Sequence, residues 1–338
     1  MGETLKSRYV VFKRPFVVSI EEEEVREPSS HEVLVKTSCT LISTGTELTA
    51  YSKSFPDKSA WSDYVKYPFR PGYCNVGTVI EVGSKAKSVR VGDRVASSAH
   101  HTEYAVVSED NVIKVPDEVP DEEAAFHTIA AGVTNSVRLA QVSLGDSVGV
   151  VGVGLLGQMT IIFSKLCGSF PLIAIDLSDA RLKLASVSGA HYVINPKRED
   201  ASDRVQHLTK GRMLDIVFEV TGSPEVIPWA IRLLRRMGKF IVLSSPRGIT
   251  ALDFHDEVNS PSRVIIGTHF SSQPTHETLQ FPWTRKRNTE LFFELLKNEV
   301  IDIRHLITHK FKWSEAPRVY EELWRDRTKF LGVILKWT

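Results

Sequence analysis

The chain has 338 residues, 42% of them hydrophobic and 25% charged, with a formal net charge of +1. That length exceeds one typical core and suits two domains. The balanced charge leaves no electrostatic footprint for nucleic acid, and no apolar run approaches membrane-spanning length.

Residues 8 to about 122 read mostly as short strands joined by turns, with runs at Tyr9–Phe12, Glu32–Thr37 and Val76–Val82. Val91-Gly92-Asp93-Arg94-Val95 reads as a turn leading into a strand. At Asp121-Glu122-Glu123-Ala124-Ala125 acids lead a run of alanines, as at a helix start. From about 129 to 265 strands alternate with helices, the strands falling at 147–152, 171–176, 191–194, 215–219, 239–244 and 263–267. Such alternation predicts right-handed βαβ units and an open, doubly wound parallel sheet, hence an α/β fold class. The C-terminal segment holds one clear helix, from Thr289 to about Asn298, and then short strands. Two domains are expected: a mainly β domain from 1–128 and 266–338, and a dinucleotide-binding domain at 129–265. The N-terminus has no apolar signal core. The three cysteines, Cys39, Cys74 and Cys167, are too few and too far apart for a disulfide framework. The expected compartment is the cytoplasm.

The most informative stretch is Val148-Gly149-Val150-Val151-Gly152-Val153-Gly154-Leu155-Leu156-Gly157. A short buried strand runs into a G-x-G-x-x-G turn and then a helix. Gly152 permits the turn, Gly154 lets backbone approach a pyrophosphate, and Gly157 lets the helix sit close on the strand. The helix start at Leu155 offers free N–H groups to phosphates. The next strand delivers Asp176 nineteen residues after Gly157. A carboxylate there accepts the adenosine ribose hydroxyls and repels a 2′-phosphate, which points to NAD and a Rossmann domain.

Several further segments resemble the medium-chain dehydrogenase/reductase superfamily, which includes zinc alcohol dehydrogenases and quinone reductases. Pro28-x-x-x-Glu32-Val33-Leu34-Val35, Gly72 to Gly83, Gly92-Asp93-Arg94-Val95, Glu103-Tyr104, Gly145-Asp146, Ile303 to His309 and Glu315-Ala316-Pro317 carry the resemblance. It implies a GroES-like catalytic domain beside the Rossmann domain, an active site in the cleft between them, and a homodimer or dimer-based tetramer. The implied dimer pairs through the apolar run Arg263-Val264-Ile265-Ile266-Gly267 at a sheet edge.

The departures from the family pattern matter as much. The places of the catalytic zinc ligands hold Thr44, Tyr73 and His127, and the acid after the zinc-binding His is replaced by Cys74. Threonine and neutral tyrosine are poor zinc ligands. Cys74 and His127 are the only two plausible donors among these, with Glu47, His100 or His101 needed for a third, so no metal is expected. The structural zinc lobe is absent too: seven residues and no cysteine separate Val95 from Glu103.

The resemblance then implies a zinc-free arrangement. Thr46 begins a proton relay, Tyr73 offers a phenol to the reacting oxygen, and His127 suits acid–base work with an unperturbed pKa of about 6.5. Thr44, Glu47, Trp61, Cys74, His269 and Trp283 are expected in the substrate pocket. Trp61 belongs to an aromatic-rich segment from Tyr51 to Phe69 that suits a lid or a sugar-stacking platform. Cofactor contacts are expected from Ala131, Leu156, Arg181, Thr221, Gly222, Leu243, Ser244 and Ser245. The first reading is an NAD-dependent oxidoreductase interconverting a secondary alcohol and a ketone on a small polyol or sugar-like substrate. The alternatives are a zinc-free quinone or enoyl reductase and a non-catalytic NAD-binding protein.

Overall fold

The computed structural model describes residues 5–338, which divide into two compact units. One contains the chain up to Ile129 together with Thr289–Thr338, and the other contains Ala130–Asn288. None of the helices among the described residues is long and apolar enough to cross a membrane.

The first unit is built on the strand Glu32–Leu41, whose two halves are paired by different neighbours. Asn75–Val82 runs antiparallel beside it, Tyr104–Ser108 covers its first half, and Gly332–Lys336 covers its end. Gly332–Lys336 also pairs in parallel with Ile307–Lys312, so the C-terminal segment completes this sheet. Glu32–Leu41 is buried along most of its length, and Val33 and Val35 share one small core with Val79, Val95 and Val112. A larger core gathers Phe12, Ile42, Tyr51, Tyr320 and Leu335 around the helices Thr44–Ser52 and Ala316–Arg325.

The second unit carries six parallel strands: β1 (Val148–Val151), β2 (Leu172–Ile175), β3 (Tyr192–Ile194), β4 (Leu214–Glu219), β5 (Leu234–Val242) and β6 (Val264–Gly267). Their order across the sheet is β3-β2-β1-β4-β5-β6. This is the doubly wound order of a Rossmann fold, whose chain reverses beside β1 and opens a crevice at the strand carboxyl ends. The fully buried residues of β1 and β2 explain their unbroken apolar runs.

The second unit extends to Asn288, whereas the sequence places the return to the first domain at 266. Residues 268–288 stay with the Rossmann unit because its helix His127–Ala140 holds them. Gly132 on that helix makes room for the Phe270 ring, which lies 2.2 Å from where a Cβ would sit. Asn135 donates to Ser272 Oγ at 3.2 Å. The guanidinium groups of Arg138 and Arg287 both lie over the Trp283 ring, at 3.3 and 4.2 Å from its centroid.

Candidate functional site

In the second unit the crevice is framed by the turn between β1 and the helix Leu155–Leu166. Gly152 adopts φ +90°, a conformation that favours glycine. The helix start at Gly154 has no side-chain cap, which leaves its first amides without a capping bond. Asp176 follows β2 and accepts the Val153 amide on one oxygen and the Ser178 amide on the other, each at 2.8 Å. Each oxygen keeps a second lone pair, which fits a pair of ribose hydroxyls. Arg181 Nη1 lies 3.9 Å from the place of a Gly154 Cβ, beside the proposed phosphate path.

Glu219, at the end of β4, organises the opposite wall, and sequence reasoning missed it. It is fully buried and accepts the Thr221 amide at 2.7 Å, the Gly222 amide at 3.2 Å, and the hydroxyls of Thr221 and Ser244. One acid thus fixes Thr221, Gly222 and Ser244 together, with Leu243 and Ser245 alongside. The available signal is an acid that follows the apolar run Ile216-Val217-Phe218 just before a Thr-Gly turn. Leu155 and Ala131 are buried, and Leu156 is partly exposed. These features fit a dinucleotide: a glycine turn, uncapped helix amides and a carboxylate just after β2 occur together.

In the first unit the helix Thr44–Ser52 carries Thr44, Thr46 and Glu47, and Tyr73 approaches its start from the segment before the strand Asn75–Val82. The Tyr73 hydroxyl donates to Ser43 Oγ and lies 3.2 Å from Thr46 Oγ1. Desolvation of the phenol, with the nearby Cys74 thiol, pushes its pKa far above the ordinary tyrosine value, so it stays protonated. Ser43 is a member of this cluster that the sequence did not single out; its position just before the helix was the signal.

His127 is buried and stands to one side. Its Nδ1 lies 3.2 Å from Thr128 Oγ1, and that hydroxyl donates to the Tyr73 carbonyl oxygen at 2.8 Å. Tyr73 and Thr46 are therefore brought together, while His127 reaches Tyr73 through Thr128 and the backbone. Trp61 stacks on Phe55 at 6.2 Å between centroids and packs against the core, leaving Tyr64 as the more exposed ring of that segment. In the second unit, His269 is exposed and caps a short turn through Ser271, while Trp283 is occupied by its two arginines.

The donor set does not fit zinc. The Tyr73 hydroxyl is engaged with Ser43, and Thr44 is a poor ligand. Cys74 is fully buried, and desolvation, with the Glu47 charge, pushes its thiol well above the usual cysteine value. His100 Nδ1 lies 3.0 Å from the Gly72 carbonyl oxygen. His101 is committed to Thr40 and Glu47. Among the described residues no group of three His, Cys, Asp or Glu side chains is arranged to hold a metal ion.

Residues 29–117 match the alcohol dehydrogenase GroES-like domain, and residues 156–283 match the zinc-binding dehydrogenase domain. The chain is 27% identical to the L-threonine 3-dehydrogenase of Pyrococcus abyssi, over 92% of each chain. Its fold matches an Escherichia coli oxidoreductase/dehydrogenase of unknown specificity at TM-score 0.85, with 23% identity, covering 98% of this chain and 99% of that one. It also matches 2R,3R-butanediol dehydrogenase from Bacillus subtilis at TM-score 0.82, with 21% identity and the same coverage. Structures of this fold have been solved with NADH and with NADP bound. The chain belongs to the medium-chain dehydrogenase/reductase superfamily of oxidoreductases, with a GroES-like domain and a Rossmann domain.

Proposed function

We propose that this medium-chain dehydrogenase/reductase is an NAD-dependent enzyme interconverting a secondary alcohol and its ketone on a polyol or sugar-like molecule, without catalytic zinc. The reading rests on one observation above the rest: a protonated phenol, Tyr73, bonded to Ser43 and Thr46 where the family's metal ligands are expected. A nicotinamide cofactor held at the crevice of the second unit would supply or take the hydride. The hydroxyl cluster orients the reacting oxygen, and Thr46 and Tyr73 are the residues assigned to it. His127 supports Tyr73 through Thr128. The substrate class is supported by two relatives whose names denote secondary carbinols, L-threonine 3-dehydrogenase and 2R,3R-butanediol dehydrogenase. The test is to follow NADH formation from NAD with a panel of vicinal diols, linear and cyclic polyols, and sugars. Turnover of secondary alcohols is expected. Turnover confined to quinones or enones would replace this reading with a C=C or quinone reductase.

The cofactor assignment rests on Asp176. A 2′-phosphate beside that carboxylate would set like charges together at a cost of several kcal/mol. NADH is expected to bind at least about 10²-fold more tightly than NADPH by fluorescence titration, and Asp176→Ser is expected to narrow the gap. Tighter binding of NADPH by the unaltered enzyme would end the NAD assignment. Metal analysis of protein purified without chelator is expected to find no stoichiometric zinc. One zinc per chain, lost on Cys74→Ser or His127→Asn, would restore a metal mechanism.

A homodimer, or a tetramer of such dimers, completes the proposal. β6 ends the sheet, and its Val264 and Ile265 are 48% and 38% exposed, an apolar edge with unpaired backbone on one side. Light scattering at micromolar concentration is expected to give at least twice the 37.9 kDa chain mass; a monomer would remove this element. Three free cysteines fit a reducing compartment, and the cytoplasm is the assigned location.

A further inference from the structure

Ser43 occupies the N-cap position of the helix Thr44–Ser52, yet its hydroxyl makes no capping bond. An N-cap serine normally accepts an amide of the first helical turn. Here the Ser43 hydroxyl instead accepts from Tyr73, while the Glu47 carboxylate reaches back to the Ser43 amide at 2.7 Å. The phenol has one hydrogen and two acceptors within reach, Ser43 Oγ and Thr46 Oγ1, so the placement of Ser43 decides where it points.

Glu47 is itself fixed. It is 1% exposed, and its second oxygen takes the Tyr320 hydroxyl and lies 3.0 Å from His101 Nε2. Trp337 Nε1 can only donate, and it donates to Thr40 Oγ1 at 3.1 Å. Thr40 Oγ1 lies 2.7 Å from His101 Nδ1. If the Thr40 hydroxyl gives its hydrogen to Nδ1, the ring hydrogen of His101 sits on Nε2 and is donated to Glu47. The order Trp337, Thr40, His101, Glu47 then satisfies each group. The partners of Glu47 come from the helix Ala316–Arg325 and from the segment before Tyr104–Ser108, both far from it in sequence.

We propose that Glu47 and Ser43 are positioning residues for Tyr73: Glu47, clamped by His101 and Tyr320, holds the Ser43 amide and leaves the Ser43 hydroxyl to fix the direction of the phenol. The inference rests on the reading of Tyr73 as a group that faces the reacting oxygen. Its test needs no substrate. The enzyme is labelled with ¹³C at tyrosine Cζ, and the Tyr73 signal is assigned by its loss in Tyr73→Phe. Ser43→Ala and Glu47→Gln are expected to move that signal in the same direction, and Ser43→Thr to return it toward its original place. Tyr320→Phe keeps the ring packed on Phe12 and removes only the hydroxyl from Glu47. It tests the same link if Glu47→Gln does not fold. With an alcohol found in the panel, Glu47→Gln or Tyr320→Phe is expected to lower kcat about tenfold, as small misplacements do, with KM for NAD unchanged. A Tyr73 signal that stays in place in both Glu47→Gln and Tyr320→Phe overturns the proposal. A panel without turnover overturns the functional reading instead, and the spectrum still decides the role of Glu47.

Discussion

Tyr73→Phe is expected to lower kcat for the alcohol–ketone interconversion by about 10²–10³-fold, the usual scale of losing one preorganised hydrogen-bond donor at a reacting oxygen. NADH affinity is expected to be unchanged, because the cofactor residues lie on the other unit. The phenylalanine keeps the ring and removes the one hydroxyl that bonds Ser43 and Thr46. Thr46→Val removes the neighbouring hydroxyl of the same cluster. Groups acting as a unit give non-additive losses, so the double variant is expected to be little worse than the poorer single one. Both singles leave a hydroxyl short of a partner, which costs about 1–3 kcal/mol where it is buried. Thermal unfolding therefore has to be measured beside kcat. His127→Asn is expected to lower kcat by less than about tenfold, since the link from His127 to Tyr73 runs through Thr128 and the Tyr73 carbonyl. Near-normal kcat in Tyr73→Phe, or a far larger loss in His127→Asn, would transfer the chemistry away from the hydroxyl cluster.

The Rossmann unit is largely legible because its signals are local. Each of the six strands lies within a few residues of its expected place, apart from the early start of β5 at Leu234. Burial on both faces makes the runs continuous, and a glycine turn marks where the first strand becomes a helix. The far boundary is not legible, since residues 268–288 are held by side chains on the helix His127–Ala140, more than a hundred residues earlier. A glycine at 132 does not announce that a phenylalanine at 270 will fill its space.

The site of the first unit shows the same division. Thr46 and Tyr73 stand at recognisable places in the family pattern, and their 3.2 Å contact joins them across 27 residues. The helix Ala316–Arg325 is also spelled in the sequence, with a proline in its first turn and Ala316, Val319, Tyr320 and Leu323 buried at helical spacing. What no spacing spells is that the Tyr320 hydroxyl meets Glu47, 273 residues away. Position 47 reads as acidic in the sequence. Only the fold reveals that this acid faces inward and takes over part of the helix cap.

Gly157→Ala and Gly154→Ala are expected to fail in opposite ways, which separates folding from cofactor binding in one motif. A Cβ on Gly157 would sit 2.1 Å from the Gly152 carbonyl oxygen and 3.0 Å from its carbon. Both are backbone atoms of the turn, and Gly152 is already held at φ +90°, so neither side gives way without opening the turn. Forced overpacking of this kind costs about 3 kcal/mol, or about 10 °C in the melting temperature of a domain this size. The helix would then stand off the strand, and NADH binding is expected to be lost with it. Gly154 has φ −67°, open to any residue, and its Cβ would meet only Arg181 Nη1 at 3.9 Å. Gly154→Ala is therefore expected to melt within a few degrees of the unaltered enzyme. Its methyl group occupies the face where a pyrophosphate approaches the helix amides, so NADH affinity is expected to fall by at least about tenfold. Calorimetry and NADH fluorescence on the two variants read both effects. A destabilised Gly154→Ala beside a stable Gly157→Ala would reverse the assigned jobs of the two glycines, and tight NADH binding by both would place the dinucleotide elsewhere on the unit.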